Sequence, residues 1–238
     1  DVFYHADGNW GLDYDATYTT IEEYTVSNNF ERVYKEDQLA VHRNVRIKAH
    51  SEYDYLTLYK SLLPGSLAAD YSDYNYLTFT AKGSGLLELG LIKSSIDDWS
   101  KQYKANINVE SSEQTYYIPF EFFTSTGTNQ KLTADDLTML SFTFLPMEAG
   151  TNDLDLTIEN VAFAKTAPSG YEDLLLNMSN EFIVYPNPSQ GELNCLLYSE
   201  EKSSAEISLF DITGKQVYIQ KMNLEEGRND LRITPNVG

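Results

Sequence analysis

The sequence predicts an all-β chain in two units, and three observations carry that reading. Strand-forming residues are abundant: 18 tyrosines and 11 phenylalanines stand among 238 residues, and aromatic and β-branched side chains favour strands. Short runs alternate apolar and polar residues, as half-buried strands do. Turn residues punctuate those runs at short intervals, and the strand pattern pauses after Lys165 before it resumes.

The first clear run is QLAVHRNVRIKA (38–49), followed by the turn LPGS (63–66). NYLTFTA (75–81) sets Leu77, Phe79 and Ala81 on one face and Tyr76, Thr78 and Thr80 on the other. The turn KGSG (82–85) leads into LLELGLI (86–92), and TYYIPF (115–120) follows. TADDL (133–137) starts like a capped single helical turn. LSFTFLP (140–146), the turn EAGTND (148–153) and LDLTIENVAFA (154–164) close the first unit. Short antiparallel strands with regular turns indicate a β-sandwich or jelly roll. TAPSGYEDLLLNMSN (166–180) reads as a linker, with Pro168, Ser169 and Gly170 ahead of a short leucine run. Five further strand-like runs fill residues 182–234.

Composition narrows the function. A net charge of −19 repels phosphate backbones and anionic lipid. The one cysteine, Cys195, can form no disulfide within the chain. No apolar run is long enough to span a bilayer. The start at Asp1, without an initiator Met or a leader, reads as a fragment or a processed chain. His5, His42 and His50 belong to no HExxH pair, and no GxSxG elbow occurs. KGSGLLELG lacks the third glycine of a dinucleotide fingerprint. No catalytic residue is assigned, and the expectation is a protein that is not an enzyme.

The most specific signal lies late. In FIVYPNPSQGELNCLLY (182–198), Pro186 and Pro188 cannot serve in a central ladder, Asn187 is pushed toward extended geometry, and Gly191 permits a turn. FDITGK (210–215) is a hairpin signal, and LEEGRNDLRI (224–233) places Gly227 and Asn229 before another alternating strand. Together these motifs resemble the type A C-terminal sorting domain of type IX secretion cargo, a family of Bacteroidetes. The resemblance covers 182–238 and rests on Tyr185, Pro186, Asn187, Pro188, Gly191, Asp211, Thr213, Gly214, Lys215, Gly227 and Asn229. It implies a small immunoglobulin-like β-sandwich, recognition by the outer-membrane translocon and its shuttle protein, and delivery to the cell surface or medium. The family closes on a GxY element and a final apolar strand. This sequence stops at PNVG, so the resemblance implies a missing last strand and an open sheet edge.

Residues 70–165 resemble a galactose-binding-like jelly roll of the carbohydrate-binding-module type, on the strength of YLTFTAKGSG, YYIPFEFF and LTIENVAFAK. The expected fold is therefore a jelly-roll β-sandwich over 1–167, a linker over 168–181 and a small immunoglobulin-like sandwich over 182–238. Sugar recognition requires aromatic faces beside polar groups. SSIDDWSKQY offers Trp99 and Tyr103 as platforms, with Asp98 and Gln102 for hydroxyls; Tyr76 and Tyr117 join them if the strand phases hold. Simple sheet cover explains the same aromatics. Jelly rolls of this type often hold a structural calcium, and Asp7, Asp13, Asp15, Asp153 and Asp155 supply oxygen ligands for one; the preferred reading is solvated loop acids, since charge runs usually face water. The functional expectation is a non-catalytic, glycan-binding part of a secreted cargo. The alternatives are a protein-interaction or spacer module of a surface adhesin, and the accessory end of a hydrolase whose catalytic domain lies upstream.

Overall fold

The computed structural model describes residues 8–53, 55–83, 85–128, 130–145, 153–168, 182–185, 193–199, 202–225 and 227–234. The chain divides into two compact units, Asp1–Ala167 and Pro168–Gly238. The expected linker, apart from Pro168, lies outside the described residues.

The first unit is a sandwich of two antiparallel sheets. One sheet runs β1 (Trp10–Asp13), β5 (Leu56–Ser61), β10 (Leu137–Phe144), β7 (Gly85–Lys93), β8 (Tyr103–Val109). The other runs β2 (Thr19–Ser27), β4 (Asn44–Ser51), β11 (Asp153–Ala164), β6 (Tyr76–Lys82), β9 (Gln114–Pro119), with β3 (Gln38–Ala40) also paired to β11. Period-two alternation decides what lies between them. Val45, Ile47 and Ala49 of β4, Leu77, Phe79 and Ala81 of β6, and Leu154, Leu156 and Ile158 of β11 are all buried. They meet Leu56 and Leu58, Leu87, Leu89 and Leu91, and Leu140, Phe142 and Phe144 of the other sheet, which are buried too. Phe79 joins the layers: it stacks on Tyr116 at 5.2 Å within its own sheet and meets Phe142 edge-on at 5.3 Å and 89° across the core.

Several sequence expectations need correction here. The run 38–49 is two strands, because Arg43 adopts φ +70° and breaks the ladder between β3 and β4. TADDL forms no helical turn: it is a turn entering β10, and the Thr133 carbonyl accepts from Lys93 instead of opening a helix. Lys93 is nearly buried and lies against both Asp135 and Asp136, at 2.5 Å each. Burial disfavours its charge, but the two carboxylates outweigh burial and hold the ammonium above its usual range. In return it holds Asp135 down to about 2. β1, β2, β5 and β8 were not expected as strands. In β2 the register shifts between Ile21 and Glu23; such a bulge destroys the alternation that reveals a strand.

The second unit has a three-stranded sheet, β12 (Phe182–Tyr185), β13 (Leu193–Ser199) and β16 (Gly227–Ile233), and a hairpin of β14 (Ser203–Phe210) and β15 (Gln216–Leu224). Cys195 is buried, and burial raises its thiol pKa. The hairpin explains why the motif reads Asp-x-Thr-Gly-Lys. One Asp211 carboxylate oxygen accepts from Thr213 N at 2.8 Å, Thr213 Oγ1 at 2.6 Å and Lys215 N at 3.0 Å. Gly214 takes φ +81°, which a side chain would strain. Asn229 does similar work, accepting from Glu225 N and donating to Glu225 O, both at 2.9 Å. Gly227 pairs with Ser199 at the end of the sheet. Tyr185 ends β12, while Pro186, Asn187, Pro188 and Gly191 lie outside the described residues.

Candidate functional site

The outer face of the six-stranded sheet is polar where its inner face is apolar. Thr78 and Thr80 of β6 lie opposite Tyr117 and Thr115 of β9, and Thr80 also lies opposite Glu159 of β11. Segment 28–35, between β2 and β3, stands beside this floor. Floor and segment enclose a groove of about 690 Å³. Its floor is lined by Thr78, Thr80, Thr115, Tyr117, Glu159 and Asn44; its wall includes Phe30, Arg32 and Val33.

Arg32 ties the wall to three carbonyls. Arg32 donates to the carbonyls of Val41 at 3.2 Å, Val161 at 2.7 Å and Asn160 at 3.2 Å. Burial lowers its pKa. The acceptors are within reach because β11 bulges: its register with β6 shifts between Glu159 and Ala162, and Asn160 takes φ +53°. Arg43, the other left-handed residue of this region, donates its N–H to Asn29 Oδ1 at 3.2 Å. Bulges and left-handed non-glycine residues are costly conformations that gather at functional sites. So fixed, the wall leaves Phe30 90% and Val33 80% exposed. The floor carries hydrogen bonds of its own. Asn44 Nδ2 donates to Glu159 Oε1 at 3.4 Å, the Thr80 and Thr115 hydroxyls lie 3.2 Å apart, and Tyr117 Oη accepts from Lys35 at 3.4 Å and Gln38 at 3.5 Å. Bonds this long are weak and exchange readily for better partners. The groove can therefore offer donors and acceptors below and an apolar edge beside them.

The residues singled out from sequence scatter. Tyr117 lines the groove on the outer face, as the strand phases require, but is itself buried in the floor; Tyr76 sits half-buried at the start of β6 outside the lining. Trp99 is 45% exposed on a single 3₁₀ turn, Trp99–Lys101, between β7 and β8. Asp98 caps that turn: its Oδ1 accepts from Ser100 N and Oγ at 3.0 and 2.7 Å, and Lys101 pairs with its Oδ2 at 3.0 Å. These bonds, that of Ser100 first, hold its pKa below the usual carboxylate range. Gln102 and Tyr103 are buried. The Gln102 amide clamps the loop, accepting from Lys93 N at 2.8 Å and donating to the Lys93 and Ile96 carbonyls at 3.1 and 2.6 Å. Burial corrects the expectation that these two offer a surface contact.

The acidic residues do not converge either. Asp13 ends β1, and Asp15 accepts from Thr17 N at 2.7 Å in the turn that follows. Asp155 pairs with Arg46 at 3.1 Å and Lys48 at 3.4 Å, and Asp153 with His50 at 2.6 Å. The bond to Asp153 is the main reason the His50 pKa is raised. Asp7 lies outside the described residues. Among the described residues no group of three or more His, Cys, Asp or Glu side chains is placed to hold a metal ion.

Sequence reasoning missed the groove wall. The signal in SNNFERVYKEDQ (27–38) was three apolar residues, Phe30, Val33 and Tyr34, set in a polar stretch at no strand period.

Solved structures similar to this chain include a family 11 carbohydrate-binding module of a cellulosomal cellulase of Clostridium thermocellum, at 18% identity and TM-score 0.42, over 66% of this chain and 88% of that one. A family 29 carbohydrate-binding module follows at 14% identity and TM-score 0.36, over 62% and 89%. An exo-β-agarase is similar at 10% identity and TM-score 0.41, over 66% of this chain and 25% of its own. No curated protein matches the chain. No helix among the described residues is long and apolar enough to cross a membrane. Residues 183–236 match the family described as the secretion system C-terminal sorting domain, so the chain ends in a type IX sorting tail that directs it to the cell surface or the medium.

Proposed function

We propose that the first unit is a non-catalytic glycan-binding module of an exported cargo, and that the groove between segment 28–35 and the β6, β9 and β11 floor holds the polysaccharide. The observation that carries this reading is the pairing of an exposed apolar edge, Phe30 and Val33, with a floor of hydroxyl, amide and carboxylate groups. A sugar chain is amphipathic in the same way: its C–H faces rest on apolar or aromatic surface while its hydroxyls take hydrogen bonds. Trp99 is a proposed secondary contact, given its exposure on a capped turn. For the tail, we propose that the outer-membrane translocon and its shuttle protein read the sorting motif. The Asp211 and Asn229 bonds support a role in presenting its turns.

Affinity electrophoresis of the full chain through gels containing neutral polysaccharides tests the groove. Retardation of the wild type, reduced in Phe30→Ala and in Tyr117→Phe and unchanged in Lys221→Ala, is expected. Equal retardation of all three variants would overturn the groove, and loss only in Trp99→Ala would transfer the site to the 98–102 turn.

A further inference from the structure

A second aromatic feature stands at the other end of the same sheet. The Tyr18 and Tyr53 rings are stacked, 5.7 Å between centroids and 10° from parallel, and Tyr55 meets Tyr53 edge-on at 5.3 Å. Tyr18 is 51% exposed. The backbone beneath is fixed: Glu52 N donates to Tyr18 O at 2.9 Å, Tyr53 N to Ser51 Oγ at 3.2 Å, and the buried hydroxyls of Thr19 and Ser51 share a bond of 2.8 Å. The β1–β5 register sets Asp13 opposite Thr57, two residues from Tyr55, and the charge of Asp13 first, with that of Asp15, raises the Tyr55 phenol pKa. The register Thr19↔Ser51 puts this cluster at the end of β4 opposite Asn44. Seven residues of strand, roughly 23 Å, separate it from the groove.

We infer that Tyr18, Tyr53 and Tyr55, with Asp13 and Asp15, form a second binding platform that takes a neutral sugar ring, separate from the groove. Two rings stacked on each other leave no gap in which a cation could be caged between them. What they offer is one flat open face, held in place before any ligand arrives, which is what a pyranose C–H face requires. The neighbouring carboxylates accept hydroxyl protons and repel uronic or sulfated sugars. With the groove, the platform makes the module bivalent toward a long chain, so affinity rises with polymer length without new contacts.

The test is affinity electrophoresis of the full chain in gels of laminarin, mixed-linkage β-glucan and galactomannan, with alginate as the anionic control. Tyr18→Ala and Tyr18→Phe are compared in the wild-type background and in a groove double variant, Phe30→Ala with Tyr117→Phe. Tyr18→Ala is expected to weaken retention about 3- to 10-fold in both backgrounds, as expected for losing one stacked ring; Tyr18→Phe, which keeps the ring, stays near its parent. That result upholds the platform even if the groove variant behaves as wild type, in which case only the groove reading fails. Retention unaffected by Tyr18→Ala in every neutral gel overturns the platform and leaves the groove untouched. Retention abolished by high salt identifies a charged ligand and also overturns it. Should Tyr18→Ala fail to fold, tyrosine ring-proton shifts of the wild type on titration with laminarin oligosaccharides decide: no shift at Tyr18 or Tyr53 overturns the platform.

Discussion

Tyr116 and Tyr117 are neighbours in sequence with opposite roles. Tyr116 stacks under Phe79 in the core, and Tyr117 turns its hydroxyl to the groove. Alternation alone separates them, so this part of the site was legible: once Leu77 and Phe79 were set inward, Thr78 and its partner Tyr117 had to face out. Gln102 and Tyr103 were not legible, because a turn has no period and nothing local says which side chain folds under. Phe79 is a core residue that touches both layers. Phe79→Ala is expected to lower unfolding free energy by about 3–5 kcal/mol, read from urea denaturation. Tyr117→Phe removes a hydroxyl that accepts from Lys35 at 3.4 Å and Gln38 at 3.5 Å. It should leave the denaturation midpoint nearly unchanged while weakening glycan binding about 3- to 10-fold, the share of one hydrogen bond.

Among the elements, the two decisive ones are a loop and a turn. Segment 28–35 is held by Arg32, whose contact with Val161 spans 129 residues of sequence. No reading of local pattern reveals such a bond, and the bulge that exposes its acceptors is equally silent in the sequence. Arg32→Met keeps the length of the side chain and removes its donors. It should cost about 1–3 kcal/mol in stability and reduce glycan retention at least as much as Tyr117→Phe does, since the wall loses its anchor. Unchanged retention would mean the wall takes no part in binding. The tail hairpin is the opposite case. FDITGK announced its turn, because Asp bonds to its own backbone and Gly accepts φ above zero. The pKa of Asp211 is depressed, by the Thr213 hydroxyl bond first and then by the Lys215 N–H bond. A depressed carboxylate stabilises fully above its unfolded value, about 3.9, and that contribution disappears as pH falls through the lower folded value. Asp211→Ala should therefore lower the melting temperature of the tail at neutral pH, and the gap from wild type should close on acidification below that range. A gap that persists in strong acid would show that the turn is stabilised by something other than the ionised carboxylate.

On the scale of the whole molecule, sequence and structure each supplied half. The tail was identifiable from sequence because its turns impose fixed residue types at fixed spacing, and residues 183–236 match the sorting-domain family. The sandwich was legible where strands alternate, in β4, β6, β7, β9, β10 and β11, and obscure in β1, β2, β5 and β8; in β2 a register shift breaks the period. Segment 28–35, which no strand period announced, builds the groove wall. The proposed function joins an export tail to a sandwich whose groove would hold a glycan. Backbone amide shifts of the full chain, recorded while a neutral oligosaccharide retained in the gel assay is titrated, test whether the groove is where the glycan binds. The account requires saturable shifts at Phe30, Val33, Thr80, Thr115 and Tyr117. Saturable binding with those amides unmoved would contradict it.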